Sequence, residues 1–600
     1  MSAIINGKDI DVAADLLFNI YGISAQMLHK YCYPNDWHAT ISAVNNGLYK
    51  LNKDILKKDI HGYNFCRLVV TKEGYNMFSG KEKAKFRKTL LEKLDASVID
   101  NLYKQFCPDG TYQAKGYQTT ALSKLKWVNG KKWAHAFVSA TSFPKPFAGI
   151  VRNGDKVPTF ERIPPKTKEI KLKPFQNDLK NRMKEILNMQ GDKTRCIVTL
   201  PTGGGKTRVA VEAFIEWMQP RFSQGMFLIW IAQSEELCDQ ASACIKDMWS
   251  QREFTEDLSL IRYYKGSKVP LDLLEESTGG VIVASIVQLH KRIEANSQEI
   301  NFIIQNTGAI IIDEAHRAVT YMYENLFDKA KQLCHVDLFP VCGLSATPGR
   351  GPLGQFDTQN LVNIFEAKLI KPCLENEPDY DALNPLEYFK KHGYLARATH
   401  EFVHNNVLFK LNEEQLQKLQ EIKENNDGTH EFVNNYELTE EKDRKLLRHL
   451  ALDNNRNTKI VSRLLKIPIG SKTLVYTCTV DHAIYLASIM TLLGRKSCAV
   501  SADTATTERR MIISDFKEGK IEFIFNYGVL TTGFDAPKTD HIVLCRPILS
   551  DVLYEQIVGR GMRGPEFGGT KNCHIIDFAD TIENMGLPLA YERYSHYWDE

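Results

Sequence analysis

Short runs of β-branched and aromatic residues recur along the chain, separated by helix-like stretches. In the central part the runs are RCIVTL, GMFLIWIA, GVIVAS and AIIIDEA. A run that is apolar at every position predicts a strand buried on both faces, which is typical of a parallel sheet covered by helices. After residue 457 the runs are TLVYTCT, KSCAVS, IEFIFNYG, HIVLCRP and CHIIDFA. The pattern therefore predicts two α/β lobes in tandem.

Two polar segments separate the predicted folded parts. Glu161–Pro174 contains three prolines and no apolar period, and it predicts a linker. The stretch from about Lys371 to Asn457 is polar with a helical pattern, and it predicts a connector between the lobes. The predicted organisation is a winged-helix-like module (1–80), a basic accessory region with the linker (81–170), lobe 1 (171–370), a helical connector (371–456) and lobe 2 (457–600).

The first 80 residues predict a region of mixed secondary structure. Residues 12–32 and 37–51 have helical patterns, and FCRLVVTKEGYNMF (65–78) predicts a strand, a turn and a helix. This order is a loose outline of a winged helix, which inserts a helix into a groove of DNA or binds protein. The predicted fold class is therefore α/β, with two parallel-sheet lobes preceded by an α+β N-terminal region.

The composition is that of a globular chain. Of the 600 residues, 43% are hydrophobic and 25% are charged, which excludes wholesale disorder. The longest apolar run, around Met226–Ala232, is far shorter than the ~20 residues that cross a bilayer. The N-terminus lacks the basic region and apolar core of a signal peptide. The thirteen cysteines form no CxxC pair, so we expect reduced thiols and a cytoplasmic protein without membrane association.

The net charge of +3 conceals an uneven distribution. Residues 1–170 contain 26 basic and 15 acidic residues, and 18 of the basic ones lie between Lys81 and Ile170. Such an excess predicts an anionic partner, and rings that stack on bases beside these cations would suit nucleic acid. The alternative is that the rings form the core of a basic domain. They are Tyr112, Tyr117, Trp127, Trp133, Phe137, Phe143 and Phe147.

A glycine-rich segment, LPTGGGKT, follows the first predicted strand and precedes a helical stretch. Such a turn presents backbone N–H groups and the positive end of a helix dipole to phosphate. Lys206 adds a cation for the β and γ phosphates, and the Thr207 hydroxyl suits Mg²⁺. Leu200 stands where the strict Walker pattern has glycine. We predict an ATP-binding loop formed by Thr202, Gly203, Gly204, Gly205, Lys206 and Thr207.

Two carboxylates follow another predicted strand, in AIIIDEAHRA. Because parallel strands end at the same edge of a sheet, Asp313 and Glu314 are expected beside the phosphate loop. We predict that Asp313 and Thr207 hold Mg²⁺, and that Glu314 orients and deprotonates the attacking water. His316, just past the pair, is predicted to link nucleotide state to movement. Without the phosphate loop, such an acidic pair would indicate only a solvated loop.

With DEAH and the loop GLSATPGR (Gly343–Arg350), the sequence resembles a superfamily 2 helicase of the DEAH type. Further segments resemble the motifs of this family in the same order. They are KPFQ (Q motif), IWIAQSEELCDQA and IVASIVQL (motifs Ia and Ib), LVYTCTVDHA (motif IV), FNYGVLTTGFDAP (motif V) and YEQIVGRGMRG (motif VI). The resemblance covers roughly Leu172–Leu587, and it implies that the two lobes are RecA-like.

The resemblance also implies roles for single residues. Gln176 would read adenine, and Gln556, Arg560 and Arg563 would belong to the catalytic set, with the arginines aimed across the cleft at the γ-phosphate. Gly533 and Asp535 would sense nucleotide. The residues implied to couple hydrolysis to movement are His316, Ser345, Ala346 and Thr347. Those implied to contact nucleic acid are Gln233, Ser285, Thr477 and Thr531.

The activity implied by the resemblance is ATP hydrolysis, with Mg²⁺, coupled to movement along nucleic acid. The TPGR ending of motif III and the QIVGRGMR form of motif VI resemble enzymes that act on DNA, such as restriction-enzyme Res subunits and RadD-like helicases. DNA is therefore favoured over RNA, in repair or in defence against foreign DNA. Two alternatives stay open. One is a motor or sensor that controls a separate nuclease or effector subunit, and the other is an RNA helicase.

Overall fold

The computed structural model of the chain contains two α/β lobes and an N-terminal group of helices. The structure describes residues 5, 7–23, 27–28, 63–107, 114–149, 158–165, 172–249, 256–264, 266, 269–277, 279–334, 339–349, 355–374, 385–403, 441–530, 536–546, 548 and 551–578.

Lobe 1 is built on an eight-stranded sheet. Its strands are β1 (Phe160–Ile163), β2 (Arg195–Thr199), β3 (Phe227–Ala232), β4 (Leu258–Tyr263), β5 (Gly280–Ser285), β6 (Thr307–Asp313), β7 (Val341–Ser345) and β8 (Leu369–Ile370). They lie in the order β1–β4–β5–β3–β6–β7–β2–β8. β1 runs antiparallel to β4, and the other pairings are parallel. The predicted linker therefore begins inside a strand, β1.

The central strand β3 shows why its sequence is apolar at every position. All six of its residues are buried. Trp230 packs into the core on one face of the sheet, whereas Ile229 and Ile231 pack into the core on the other face. Because helices cover both faces, no polar position alternates with the apolar ones. The four strands predicted from apolar runs in this lobe are present.

Lobe 2 is built on a six-stranded sheet. Its strands are β9 (Arg397–Phe402), β10 (Thr473–Tyr476), β11 (Ser497–Val500), β12 (Phe523–Asn526), β13 (His541–Leu544) and β14 (Asn572–Asp577). They lie in the order β11–β12–β10–β13–β14–β9, and every pairing described is parallel. The five predicted strands are present. β9 corrects the prediction of a purely helical connector over 371–456, since this exposed edge strand lacks an apolar run.

Twenty α-helices are described, and they pack on the sheets or form the N-terminal region. They are α1 (Gly7–Asp15), α2 (Tyr63–Glu73), α3 (Ala84–Glu92), α4 (Ala96–Phe106), α5 (Lys115–Lys124), α6 (Lys132–Ala140), α7 (Pro174–Leu187), α8 (Lys206–Met218), α9 (Glu235–Trp249), α10 (Leu271–Glu275), α11 (Ile286–Glu294), α12 (Gln298–Gln305), α13 (Tyr321–Cys334), α14 (Gln355–Ile364), α15 (Pro385–Lys391), α16 (Glu441–Leu452), α17 (Asn454–Leu465), α18 (Val480–Leu492), α19 (Thr506–Lys517) and α20 (Asp551–Val558). None of these described helices combines the length and the apolar character that crossing a membrane requires.

Every regular element described within residues 1–149 is a helix. The predicted α+β region, with a strand at FCRLVV, is therefore wrong for these residues. Cys66, Val69 and Val70 are all 0% exposed, and their spacing of three and four residues places them on one face of α2. A short apolar run of this kind fits a helix and a strand equally well. The helix predicted over 37–51 lies outside the described residues.

The aromatic residues of the basic region form its core. Trp133, Phe137, Phe143 and Phe147 are at most 6% exposed, and the rings of Trp133 and Phe137 lie 5.8 Å apart. For these four rings the structure supports the second interpretation, a domain core, because a buried ring has no free face to stack on bases. Tyr117 differs, with 58% of its surface exposed. Tyr112 lies outside the described residues.

The N-terminal helices pack on lobe 2, although lobe 1 follows them in sequence. α2 lies against α18, and Met511 of α19 packs against the N-terminal core. The exposed lysines Lys124, Lys126, Lys131 and Lys132 lie on this region. The positive charge of the N-terminal region therefore lies beside lobe 2, the lobe that is farther from it in sequence.

Candidate nucleotide site between the lobes

The phosphate loop connects β2 to α8. Gly203 and Gly205 both have φ of 91°, a left-handed conformation that favours glycine. A Cβ on Gly205 would lie 2.6 Å from Nε2 of Gln176 and would displace that amide. Leu200 departs from the strict Walker pattern without disturbing the loop, since its side chain is fully buried in the lobe 1 core.

Lys206 begins α8 and lies within the cleft between the lobes. Its Nζ donates a hydrogen bond of 2.9 Å to the carbonyl of Leu200. Burial lowers the pKa of Lys206, Glu314 and Asp313 oppose that shift, and Arg560 adds to it. An anion beside Nζ would favour the charged form, so the position is suited to phosphate.

The acidic pair, Asp313 and Glu314, lies at the end of β6. The sequence predicts this position, directly after a buried strand. Asp313 pairs with Leu344 in β7, and Ser345 of β7 pairs with Thr199 of β2. The three strands thus end at one edge of the sheet, and Asp313 and the phosphate loop share that edge. Glu314 adopts a left-handed conformation, with φ of 54°.

Asp313 is 8% exposed, and its Oδ1 accepts a hydrogen bond of 3.1 Å from the N–H of Glu314. Burial and the neighbouring Glu314 together raise the pKa of Asp313 to about 7, against the opposing effect of Lys206. A cation beside this carboxylate would favour its ionised form. The site therefore has one position suited to an anion and one suited to a cation.

The donors at this edge fit a magnesium ion. Asp313 and Thr207 offer hard oxygen atoms, which Mg²⁺ prefers. Within the described residues, no group of three or more His, Cys, Asp or Glu side chains is arranged to hold a metal. Two protein ligands suit an ion that is shared with substrate phosphates and water.

The predicted coupling residues lie in contact around Ser345. The Ser345 hydroxyl donates to the carbonyl of Thr347 (2.8 Å) and accepts from the N–H of Thr347 (3.1 Å). Nδ1 of His316 lies 3.2 Å from the same hydroxyl and 3.4 Å from a carboxylate oxygen of Glu314. Since the hydroxyl has one proton, His316 is the donor to it. Ala346, the remaining predicted coupling residue, follows Ser345 directly and is partly exposed.

Motif VI of lobe 2 meets the phosphate loop of lobe 1. A Cβ on Gly559 would lie 2.3 Å from Cγ2 of Thr202, and a Cβ on Gly203 would lie 3.5 Å from the backbone of Arg563. Arg560 acts on the pKa values of both Lys206 and Asp313. The structure thus brings the predicted residues Arg560 and Arg563 to the phosphate loop, and Gln556 is 7% exposed in the preceding helix α20.

Two of the predicted nucleic-acid residues lie at the ends of neighbouring strands, since Ser285 pairs with Ala232, the residue before Gln233, whereas Thr477 follows β10 in lobe 2. Nε2 of Gln233 donates to the hydroxyl of Tyr323 (3.1 Å), and the hydroxyl of Ser285 caps α11. Thr477 is 0% exposed, and its hydroxyl bonds to the carbonyl of Asn526 (3.0 Å), so it does not face a binding surface. Thr531 lies outside the described residues, as do Gly533 and Asp535 of motif V.

Several contacts between the lobes were not predicted. Lys173 pairs with Glu566 (2.6 Å), Arg510 pairs with Asp239 (2.7 Å), and Arg509 pairs with Glu236. Lys173, Glu236 and Asp239 lie within recognised motifs and Glu566 follows motif VI, whereas Arg509 and Arg510 lie outside the motifs named above. Their pairing depends on how the lobes pack.

Parts of the chain match known families. Residues 169–350 match the family described as type III restriction enzyme, res subunit. Residues 456–564 match the helicase conserved C-terminal domain.

Three relatives show similarity over parts of their length. IRC3 of Saccharomyces cerevisiae, named as a candidate ATP-dependent helicase, is 29% identical over 402 residues, which is 65% of this chain and 49% of that protein. The irc3 protein of Schizosaccharomyces pombe, named as mitochondrial, is 35% identical over 117 residues, 20% of this chain and 19% of that protein. The EcoKI type I restriction enzyme endonuclease subunit of Escherichia coli is 23% identical over 457 residues, 70% of this chain and 36% of that protein. The chain thus spans about half of the length of IRC3 and less of the other two.

Proposed function

The chain belongs to superfamily 2 of the helicases and resembles Res subunits of restriction enzymes, and on this premise we propose that it hydrolyses ATP to move along or unwind DNA. The observation that carries this proposal is the contact between the lobes at the phosphate loop. Gly559 and Arg563 of lobe 2 lie against Thr202 and Gly203 of lobe 1. This contact supports a site in which groups from both lobes act on one nucleotide.

The division of roles follows from the charges in the cleft. We propose that Lys206 and the N–H groups of the loop bind the phosphates, and that Thr207 and Asp313 hold Mg²⁺. Bound magnesium would neutralise negative charge on the phosphates. Glu314 orients the attacking water and accepts its proton, while Arg560 and Arg563 stabilise charge on the transferred phosphoryl group. An arginine supplied across a cleft contributes ~10³–10⁵ in rate.

Coupling to movement follows from the same arrangement. Because the arginines lie on one lobe and Lys206 on the other, hydrolysis requires the lobes to be together. The contact of His316 with Glu314 and Ser345 connects the acidic pair to motif III. We propose that repeated closing and opening moves nucleic acid across the two lobes.

DNA is the substrate that we favour. The TPGR and QIVGRGMR motif forms resemble those of DNA enzymes, and the family matched by residues 169–350 is that of a restriction-enzyme subunit. Repair or defence against foreign DNA is the setting we propose. We also propose a cytoplasmic location, although one relative is named as mitochondrial.

A second candidate function is a motor subunit that controls a separate nuclease or effector. The similarity to the EcoKI endonuclease subunit over 70% of this chain favours it. In that case ATP hydrolysis would need a partner protein, and unwinding would be incidental.

The test is the ATPase rate of the purified chain alone and with single-stranded, duplex or forked DNA, or RNA. We expect stimulation by DNA, and none in Glu314→Gln. Stimulation by RNA alone would overturn the DNA assignment. Absence of any hydrolysis, with every nucleic acid, would contradict an autonomous motor. Hydrolysis that appears only with a co-purified partner would support the second candidate.

A further inference from the structure

Lys173, at the start of α7 in lobe 1, contacts a residue of lobe 2 that follows motif VI. Its Nζ lies 2.6 Å from Oε2 of Glu566 and 5.6 Å from the centre of the Tyr394 ring. The two partners in the ion pair are 393 positions apart in the chain. The contact therefore exists only when the lobes are together.

The same lysine is connected to the phosphate loop through its backbone. The N–H of Lys173 donates to Oε1 of Gln176 (3.1 Å), and Nε2 of Gln176 donates to the carbonyl of Gly204 (3.0 Å). Gln176 is 1% exposed, so both ends of its amide are used inside the protein. A continuous series of three polar contacts thus extends from Glu566 to the phosphate loop.

At its other end the series is attached to the arginine-bearing loop. The N–H of Glu566 donates to the carbonyl of Gly393 (3.0 Å), and the N–H of Gly564 donates to the carbonyl of Tyr394 (3.1 Å). Arg563 pairs with Leu395 through the backbone. The segment 393–395 therefore holds the same loop that carries Arg563.

Tyr394 anchors this segment to both lobes. Its ring lies 5.2 Å from the ring of Phe175 in α7 and 5.6 Å from the ring of Phe567 beyond motif VI. Tyr394 is 8% exposed, so the packing is well shielded from water. The start of α7 and the motif VI loop are consequently fixed against one another by one ring and one ion pair.

The geometry points to Lys173 and Glu566 as positioning residues, which hold the loop carrying Arg563 against the Gln176 end of the nucleotide site when the lobes are together. This inference rests on the proposed ATPase function and adds a regulatory contact to it. Their side chains are 32% and 48% exposed, and such a pair contributes little to folding stability. Its effect is expected on the closed arrangement of the lobes.

The experiment reverses each charge singly and then both together. We expect K173E and E566K each to lower kcat for ATP by three- to tenfold, with the KM for ATP changed less than twofold. K173E/E566K restores kcat, and K173R retains it. Because the pair is partly exposed, the loss should shrink in 0.5 M salt, where charges are strongly screened.

A matched control lies on the same helix. Lys180 of α7 pairs with Glu216 (2.7 Å) within lobe 1, and K180E should leave kcat unchanged. Wild-type kcat in both single variants, or failure of the double variant to recover, would overturn the inference. Small-angle scattering gives a second measurement, in which the single variants should have a larger radius of gyration than the wild type. If the wild type hydrolyses no ATP, the proposed function fails, and equal radii would then reject the inference separately.

Discussion

Gly559 of lobe 2 lies directly against Thr202 of the phosphate loop, with a hypothetical Cβ only 2.3 Å from Cγ2 of the threonine. A methyl group at this position would force motif VI away from lobe 1. We predict that Gly559→Ala lowers kcat about 100-fold, because a displacement of ~1 Å at a catalytic group has that effect. Gly116→Ala is the control, since its Cβ would meet open space. Steady-state ATPase kinetics of both variants, with unfolding temperatures, check this.

Two substitutions in the nucleotide site should distinguish ATP binding from ATP hydrolysis. We predict that Lys206→Ala abolishes ATP binding and hydrolysis, because the loop loses its cation. Glu314→Gln should still bind ATP but hydrolyse it 10²–10⁴-fold more slowly, since it loses the general base. Titration with a fluorescent ATP analogue and single-turnover kinetics distinguish the two. Glu324→Gln, exposed on α13, is the matched control, and full turnover in Glu314→Gln would refute the assignment.

The exposed lysines of the N-terminal region should add to nucleic-acid affinity. Removing the whole region would uncover the face of lobe 2 that α2 covers, so substitutions are the better test. We predict that Lys131→Gln/Lys132→Gln weakens DNA binding and lowers the slope of log K against log salt by about 0.9 per lost contact on duplex DNA. Affinities measured at several salt concentrations check this.

The control for this prediction is Lys466→Gln/Lys517→Gln, the same charge change at exposed positions of lobe 2. An unaltered salt slope in Lys131→Gln/Lys132→Gln would mean that the N-terminal charge binds another partner.

Two neighbouring arginines of α19 should differ in what they stabilise. Arg509 pairs with Glu236 and also donates to the partly buried carbonyls of Ser501 (3.0 Å) and Thr504 (3.4 Å) in its own lobe. We predict that Arg509→Ala lowers stability by ~1–3 kcal/mol, because partly buried carbonyls lose their donor. Thermal unfolding checks this.

Arg510 has a simpler role. It pairs with Asp239 across the lobes (2.7 Å) and is 42% exposed. Arg510→Ala should therefore change stability by less than ~1 kcal/mol, and a larger loss than in Arg509→Ala would contradict the distinction.

The stability of lobe 2 should decrease in mild acid. Nδ1 of His482 accepts from the N–H of Cys478 (3.3 Å), and Nε2 lies 3.0 Å from Oδ1 of Asn457. Burial lowers the pKa of His482 well below 6.5, and Arg456 adds to the shift. As pH falls through 6.5, the unfolded chain gains the proton before the folded protein does, so stability is lost.

One such histidine changes the unfolding free energy by at most ~1.4 kcal/mol per pH unit. We predict that His482→Gln, which keeps a donor and an acceptor, reduces the decline of the unfolding temperature between pH 7 and pH 5. Identical declines in the variant and the wild type would contradict this role for His482.

The parts of the fold that the sequence predicts are those in which neighbouring residues share one environment. β3 is buried on both faces, so its six apolar residues identify it without further information. β9 is an exposed edge strand whose position depends on pairing with β14, more than 170 positions away, and its own residues give no such signal. FCRLVV forms a helix where the sequence predicts a strand, because a short buried run has no period that distinguishes the two.

The sequence alone determined the chemistry of each half of the site, because the phosphate loop, the acidic pair and the arginines of motif VI are each encoded within a few consecutive residues. Only the tertiary structure decided which of these groups meet. The contacts of Gly559 with Thr202 and of Lys173 with Glu566 join residues more than 350 positions apart. They depend on the packing of two separately formed lobes, and on Tyr394 lying between them. Local pattern carries no information about that packing, because the cores around Ile229 and Val475 each contain residues of one lobe only, and lobe 2 adds only Met562 and Phe567 to the other lobe 1 core.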